Sequence, residues 1–417
     1  MHHRKPVESF APYFTNAVSK EAQHDLHFTQ DELYRSGLTI RTTLDPSLQK
    51  AMDHAIARYI APHLGLQAAA VVLDTKTGGI LAYSGGRNYR TSPYDRVNAM
   101  RQPGSTFKPF VYATVLDKGW TAATHMKSEP RTFIYGTHSI YRVHNFADEY
   151  SYGQIDMKQA IARSDNVFAV TANMAAGPAT VEETARRFGL PNDMHPYPSL
   201  ALGVFPVSPL QMARAYAAFG NGGYLTQPHA IAKVTDEQGR VLYEAKPQRL
   251  LVENPATAYV LTDMMESVMK SGGTGYRVAS AIPGVVAAKT GTTDTDAWMV
   301  GYTPNVVCAV WVGYDQMKPL NSIQAHLAAP VFASIMKEAV LEHKNASFNQ
   351  PPTITKVWID PETGQKATTA CPSHELDAFA VGTEPTAICL THPEPNASFT
   401  ERALNTIRSL FSWMHNH

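Results

Sequence analysis

"AWMVGYTPNVVCAVWVGYD", residues 297–315, is two apolar runs joined by Tyr302-Thr303-Pro304-Asn305, and that pattern predicts a β-hairpin. A second strand–turn–strand pattern lies more than two hundred residues earlier, in "AAAVVLDTKTGGILAYSGG" (68–86), with Lys76-Thr77-Gly78 in its turn. Between them the apolar spacing becomes helical. "FKPFVYATVLDKGW" (107–120), "DMKQAIARSDNVFAVTANMA" (156–175), "TVEETARRFGL" (180–190), "SPLQMARAYAAFGNGG" (208–223) and "NPATAYVLTDMMESVMKSGG" (254–273) repeat it, several with a polar cap and a Gly stop. Strands at both ends and helices between them predict an α+β domain, an antiparallel sheet flanked by helices and closed by sequence-distant strands.

Outward from that domain, residues 1–65 read as a connector. It carries a Thr29-capped helix in "TQDELYRSG", a strand in "LTIRTTL", and a helix in "DPSLQKAMDHAIARYIAPHL". The main domain is expected over 66–345 and a small Pro-rich β module with a helical tail, "SFTERALNTIRSLFSWM", over 346–417. Lys plus Arg equals Asp plus Glu at 36 each, with pI near 7.3, so no basic footprint argues for nucleic acid or an anionic membrane face. No apolar run approaches the ~20 residues of a membrane span, and the N-terminus has no signal-peptide core. Cys308 reads as a buried core thiol, whereas Cys371 and Cys389 are either a disulfide pair or two free thiols. The 17 histidines form no metal-binding motif, and His144 reads as a polar residue on a cleft rim. Neither metal nor cofactor is expected.

Chemistry enters through Ser-x-x-Lys, which the chain spells four times: Ser47/Lys50, Ser105/Lys108, Ser267/Lys270 and Ser334/Lys337. Residues i and i+3 share a helix face, so each pair can touch. Ser47, Ser267 and Ser334 read as solvated helix surface. Ser105 follows Pro103-Gly104 at a helix start, where free N–H groups favour developing negative charge; it is either a nucleophile or the helix cap. Ser-x-Asn occurs at Ser164-Asp165-Asn166 and at Ser347-Phe348-Asn349, and Lys-Thr-Gly occurs at Lys76 and Lys289. Taken in chain order, Ser105-x-x-Lys108, then Ser164-Asp165-Asn166, then Lys289-Thr290-Gly291-Thr292 resemble the motif set of β-lactamases and penicillin-binding proteins. In that set Lys108 is a base if burial and the charge of Lys289 keep it neutral. Ser164 relays a proton, Asn166 holds the substrate's amide, Lys289, Thr290 and Thr292 bind a carboxylate, and Gly291 lets a substrate backbone approach the strand edge. Asp165 and Thr293 complete the expected substrate-binding set.

These motifs, with "GLTIRTTLDPSLQKAM", "RQPGSTFKPF", "ALGVFPVSPLQMARAYAAFGNGG", "AAKTGTTDTDAWMVGYTP" and "GTEPTAIC", make the chain resemble the transpeptidase domain of class A penicillin-binding proteins over roughly 24–395. The resemblance implies the penicillin-binding protein/β-lactamase-like fold and a D,D-transpeptidase that cross-links peptidoglycan stem peptides through an acyl-enzyme on Ser105. It further implies β-lactams as covalent inhibitors, an extracytoplasmic location, and an oxyanion hole made by the N–H groups of Ser105 and Thr292. Class A enzymes carry a glycosyltransferase domain and a membrane anchor ahead of this region. The chain starts where that domain would end, so residues 1–65 are expected to be the linker after it, and cell-wall synthesis complexes are expected partners of the parent protein. A β-lactamase would instead need a deacylating glutamate such as Glu182 or Glu183. A non-catalytic penicillin sensor would keep the fold without turnover.

Overall fold

The computed structural model describes residues 9–60, 63, 65–343 and 347–392; the expected tail helix at 398–414 lies outside them. The hairpin that opened the sequence analysis is present as β4 (Asp296–Tyr302) and β5 (Val306–Gly313), with Trp298 opposite Trp311. The earlier pair is β1 (Gln67–Asp74) and β2 (Ile80–Ser84), turned where Asp74 Oδ1 accepts the N–H groups of Lys76 and Thr77. β3 (Ala287–Thr292) completes a five-stranded antiparallel sheet in the order β3–β4–β5–β1–β2. Its centre joins the two ends of the chain, with Val310 opposite Ala70.

Both faces of this sheet are covered. Ala69, Val71, Trp298, Tyr302 and Trp311 face the helical middle, whereas Ala68, Ala70, Val72, Cys308 and Val310 face α3 (Pro46–Tyr59) and α10 (Ala328–Glu342). That explains why β5 is buried at every position although strand residues alternate faces. At roughly 1.5–3 kcal/mol per large apolar side chain removed from water, the paired cores dominate the stabilisation. Residues of the expected connector take part: Leu48, Met52, Ala55 and Ile56 of α3 are buried against α10 and the sheet. Upstream, α1 (Pro12–His24) buries Tyr13 and Phe14, and α2 (Gln30–Arg35) has the expected Thr29 cap, which Glu32 closes into a capping box.

The helices that carry motifs are α4 (Lys108–Asp117), α5 (Met157–Arg163), α6 (Asn166–Ala176), α7 (Pro178–Arg187), α8 (Pro209–Gly220) and α9 (Pro255–Glu266). Beyond them a small module pairs β6 (Ile354–Ile359) with β7 (Glu375–Ala380). All three cysteines are buried free thiols, so the disulfide alternative for Cys371 and Cys389 is not realised here.

Candidate active site

Ser105 lies in the 3-10 turn Gly104–Phe107, which runs directly into α4. The cap position belongs to Pro103, and no side chain caps the turn, so Ser105 is not the helix cap. Three glycines press this turn into place. Gly104 has φ +55°, and a Cβ there would lie 3.1 Å from Thr292 O and 3.2 Å from Thr292 N. Gly203, at φ +66°, would drive a Cβ to within 2.2 Å of Gly104 O, and Gly104 N donates to Gly203 O at 3.2 Å. A Cβ on Gly291 would meet Pro103 O at 2.4 Å. The missing side chain of Gly291, expected to admit a substrate backbone, also makes room for the serine-bearing turn. Trp298 Nε1 donates to Gln102 O at 2.8 Å and Tyr216 Oη to Thr106 O at 2.6 Å, which clamps the turn to β4 and α8.

Lys108 is wholly buried, and its Nζ donates to Ser164 O (2.6 Å), Asn166 Oδ1 (2.7 Å), Asp165 O (3.2 Å) and Ser164 Oγ (3.3 Å). Lys289, equally buried, reaches Ser164 Oγ at 2.9 Å and Thr290 O at 3.1 Å. Two amines therefore converge on one hydroxyl. Burial holds the Lys108 amine down at about 7, against the pull of Asp165. Lys289 is held well below the usual lysine range by burial and then by Lys108. Burial is the largest cause of both depressions, and the closeness of the two amines adds to it, since each disfavours charge on the other.

Ser164 holds its hydroxyl there from a left-handed conformation, φ 62° and ψ 38°, at the C-terminus of α5. Such a φ is costly for a residue with a Cβ and clusters at functional sites. Asp165 was expected to bind substrate, but both its oxygens serve the protein. Oδ1 caps α6 through Phe168 N (2.7 Å), while Oδ2 accepts from Ser128 Oγ and Asn145 Nδ2. Thr293 likewise turns away: its hydroxyl accepts Asp296 N at 3.0 Å inside the β3–β4 turn. Thr292 is exposed beside Gly104, and Thr290 Oγ1 donates to Thr274 Oγ1 at 2.7 Å. Asn166 Nδ2 donates to His144 O at 2.9 Å.

Sequence reasoning missed Asn145 and Gly203. Asn145 Oδ1 accepts Asn166 N at 2.7 Å and its Nδ2 donates to Asp165, so it straps the rim segment onto the second motif. His144, its neighbour, is exposed and its Nδ1 lies 3.3 Å from Asp148 Oδ1. Two of the competing serines make backbone bonds within their own helices. Ser267, expected to be solvated, is buried with Oγ on Met264 O, because α9 ends against α5; Ser334 Oγ bonds Pro330 O within α10. Glu182 pairs with Arg186 along α7, and no glutamate among the described residues hydrogen-bonds Ser105, Lys108, Ser164 or Lys289.

Residues 68–337 match the penicillin binding protein transpeptidase domain, and 350–394 match the C-terminal domain of penicillin-binding protein 1A. Penicillin-binding protein 2D of Bacillus subtilis is 35% identical over 388 residues, 91% of this chain and 56% of that protein. Penicillin-binding protein 1A of Aquifex aeolicus is 37% identical over 382 residues, 89% of this chain and 52% of its own length. The chain thus spans about half the length of these relatives. Among solved structures, penicillin-binding protein 1A from Haemophilus influenzae shares the fold with TM-score 0.83 at 23% identity, covering 91% of this chain and 77% of that one. PonA1 from Mycobacterium tuberculosis in complex with penicillin V aligns with TM-score 0.73 at 27% identity, covering 82% of this chain and 96% of that one.

Proposed function

This chain belongs to the penicillin-binding protein transpeptidase family of serine acyltransferases, and from that premise we propose that it is a D,D-transpeptidase cross-linking peptidoglycan stem peptides through Ser105. The observation that carries the reading is the convergence of two buried, pKa-depressed lysines on Ser164 Oγ beside the Ser105 turn. Ser105 Oγ attacks the carbonyl of the penultimate D-Ala, and neutral Lys108 takes its proton. The oxyanion is met by the N–H groups of Ser105 and Thr292; the close approach of Gly104 to the Thr292 backbone supports that reading. Collapse breaks the D-Ala-D-Ala amide; Ser164 passes a proton from the lysine pair to the departing amine, and terminal D-Ala leaves. An amine of a neighbouring stem then attacks the acyl-enzyme, which forms the cross-link and restores Ser105. Lys289, Thr290 and Thr292 hold the donor's terminal carboxylate, and Asn166 its amide. Asp165 and Asn145 act as positioning residues.

β-Lactams acylate the same serine, and the site works outside the cytoplasm, in a parent protein anchored to the membrane and associated with cell-wall synthesis partners. No helix among the described residues is long and apolar enough to cross a membrane. Intact-mass analysis after benzylpenicillin treatment tests the reading. A single long-lived adduct that Ser105→Ala removes and Ser267→Ala keeps is expected. Rapid loss of the adduct indicates a β-lactamase, and no adduct on folded protein indicates a non-catalytic scaffold.

A further inference from the structure

Within itself the C-terminal module has little apolar packing, although Ile354 and Ala378 join the core of the main domain. Its sheet is two strands, and its own apolar cluster consists of Ile359 and Phe379 packed on Ala123, with Val357 at the edge. A two-stranded sheet is marginal in water, and units this small usually need a staple. Three of its turns meet at one point. Asp360 follows β6, Cys371 precedes β7, and Cys389 and His392 follow β7; one donor atom from each lies within 4.8 Å of all the others. A tetrahedral ion held at the usual zinc–sulfur, zinc–nitrogen and zinc–oxygen distances spaces its donors about 3.3–3.8 Å apart. Cys389 Sγ is 3.0 Å from Asp360 Oδ2 and 3.4 Å from His392 Nδ1, and His392 Nδ1 is 3.3 Å from Asp360 Oδ2.

The surroundings fit the same purpose. Asp360 is completely buried with Oδ2 aimed into the cluster, and both thiols are buried. His392 turns Nε2 outward to Glu362 Oε2 at 3.5 Å, the carboxylate partner that orients a ligating imidazole. Thr368 brings its N–H to 3.3 Å and its hydroxyl to 3.6 Å from Cys371 Sγ, donors suited to a thiolate. A disulfide would need neither the imidazole nor the carboxylate.

We propose that Asp360, Cys371, Cys389 and His392 bind one zinc ion that staples the C-terminal module. Two sulfurs, an imidazole nitrogen and a carboxylate oxygen select zinc over calcium or magnesium. Binding releases the two thiol protons to solvent and places neutral His392 Nδ1 and the Asp360 carboxylate on the metal. The ion supplies no step of acyl transfer. It fixes the 360–371 loop, which sits on the main domain: His125 Nε2 meets Pro361 O at 3.0 Å, and a Cβ on Gly364 would come within 2.6 Å of His125.

The full chain, produced both in the cytoplasm and by export, is purified without reductant and analysed for metal, with Cys389→Ser and His392→Ala alongside. About one zinc per chain in wild type from both sources, lost in both variants, is expected. Cobalt(II) added to chelator-stripped wild type gives tetrahedral ligand-field and thiolate charge-transfer bands that the variants lack. Benzylpenicillin labelling of Ser105 persists in the variants, which shows that the main domain is folded. A Cys371–Cys389 disulfide in the exported protein, zinc content unchanged by the substitutions, or an absence of both zinc and the cobalt spectrum would overturn the proposal.

Discussion

Lys108 and Lys158 are both withdrawn from water, yet the protein drives them in opposite directions. Lys108 finds carbonyls, an amide oxygen and a hydroxyl, with the one nearby carboxylate, Asp165, spending its oxygens elsewhere; its amine falls to about 7. Lys158, on α5, also loses by burial, but Asp377 at 2.5 Å and Asp263 at 3.5 Å overrule that loss and raise it above the usual lysine range. Burial alone therefore does not decide what a lysine does. The partner does: neutral acceptors leave an amine able to take a proton, the role proposed for Lys108, and carboxylates make a permanent cation that ties α5 and α9 to the C-terminal strand β7.

Breaking the first side of the comparison has the largest expected effect. Lys108→Ala should slow β-lactam acylation by about 10²–10⁴-fold, read as the second-order rate of adduct formation. In wild type that rate should climb with pH up to about 7 and then level, because the neutral amine is the base. The same depression makes a stability prediction. Between pH 7 and 10.5 the unfolded chain keeps a proton on Lys108 that the folded chain has shed, so stability rises with pH across that window. The contribution is on the order of 4–5 kcal/mol for a fully buried group. Denaturation of wild type against Lys108→Met should show their difference shifting in favour of wild type over that range, and a flat difference would mean that Lys108 is not depressed.

Lys158→Met tests the other side. It leaves Asp377 and Asp263 buried near one another, with Lys356 still on Asp263 at 3.0 Å, and should destabilise by about 3–5 kcal/mol in urea or thermal unfolding. Acylation by the folded fraction should be unchanged. Adding Asp377→Asn should recover part of the loss, since the pair is coupled. If Lys158→Met slowed acylation as much as Lys108→Ala, the division between a catalytic and a tethering lysine would fail.

Much of this architecture was legible in the sequence. The 297–315 hairpin, its distant partner at 68–86 and the order of three motifs needed only local spacing and chain order. The side of each residue that faces its neighbour was not legible. Asp165 and Thr293 belong to the motif segments, yet one caps α6 and the other closes a turn, because both jobs depend on partners such as Phe168 and Asp296 in folded space. Asn145 carried no signal beside the more conspicuous His144. Asp360, Cys371, Cys389 and His392 match no metal-binding spacing, since the β6–β7 hairpin brings them together across 33 residues.

Gly203 sharpens the comparison on a smaller scale, because its value lies wholly in what it touches. Gly136 and Gly203 have nearly the same backbone, φ +59° and φ +66°, so alanine at either incurs a similar conformational cost of about 1–2 kcal/mol. A Cβ at Gly136 meets nothing within 4 Å, whereas one at Gly203 meets Gly104 O at 2.2 Å. The added methyl can be accommodated only by moving the Gly104 peptide, and Gly104 precedes Ser105, the proposed nucleophile, and packs on Thr292. Gly203→Ala should therefore slow acylation by about 10–100-fold, the scale of a small misplacement of reacting groups. Gly136→Ala should leave the acylation rate of folded protein unchanged while lowering stability only by the conformational cost of about 1–2 kcal/mol. Equal acylation rates in the two variants would mean that the turn carrying Ser105 tolerates displacement, and that its position is set by Trp298 and Tyr216 rather than by the glycine contact.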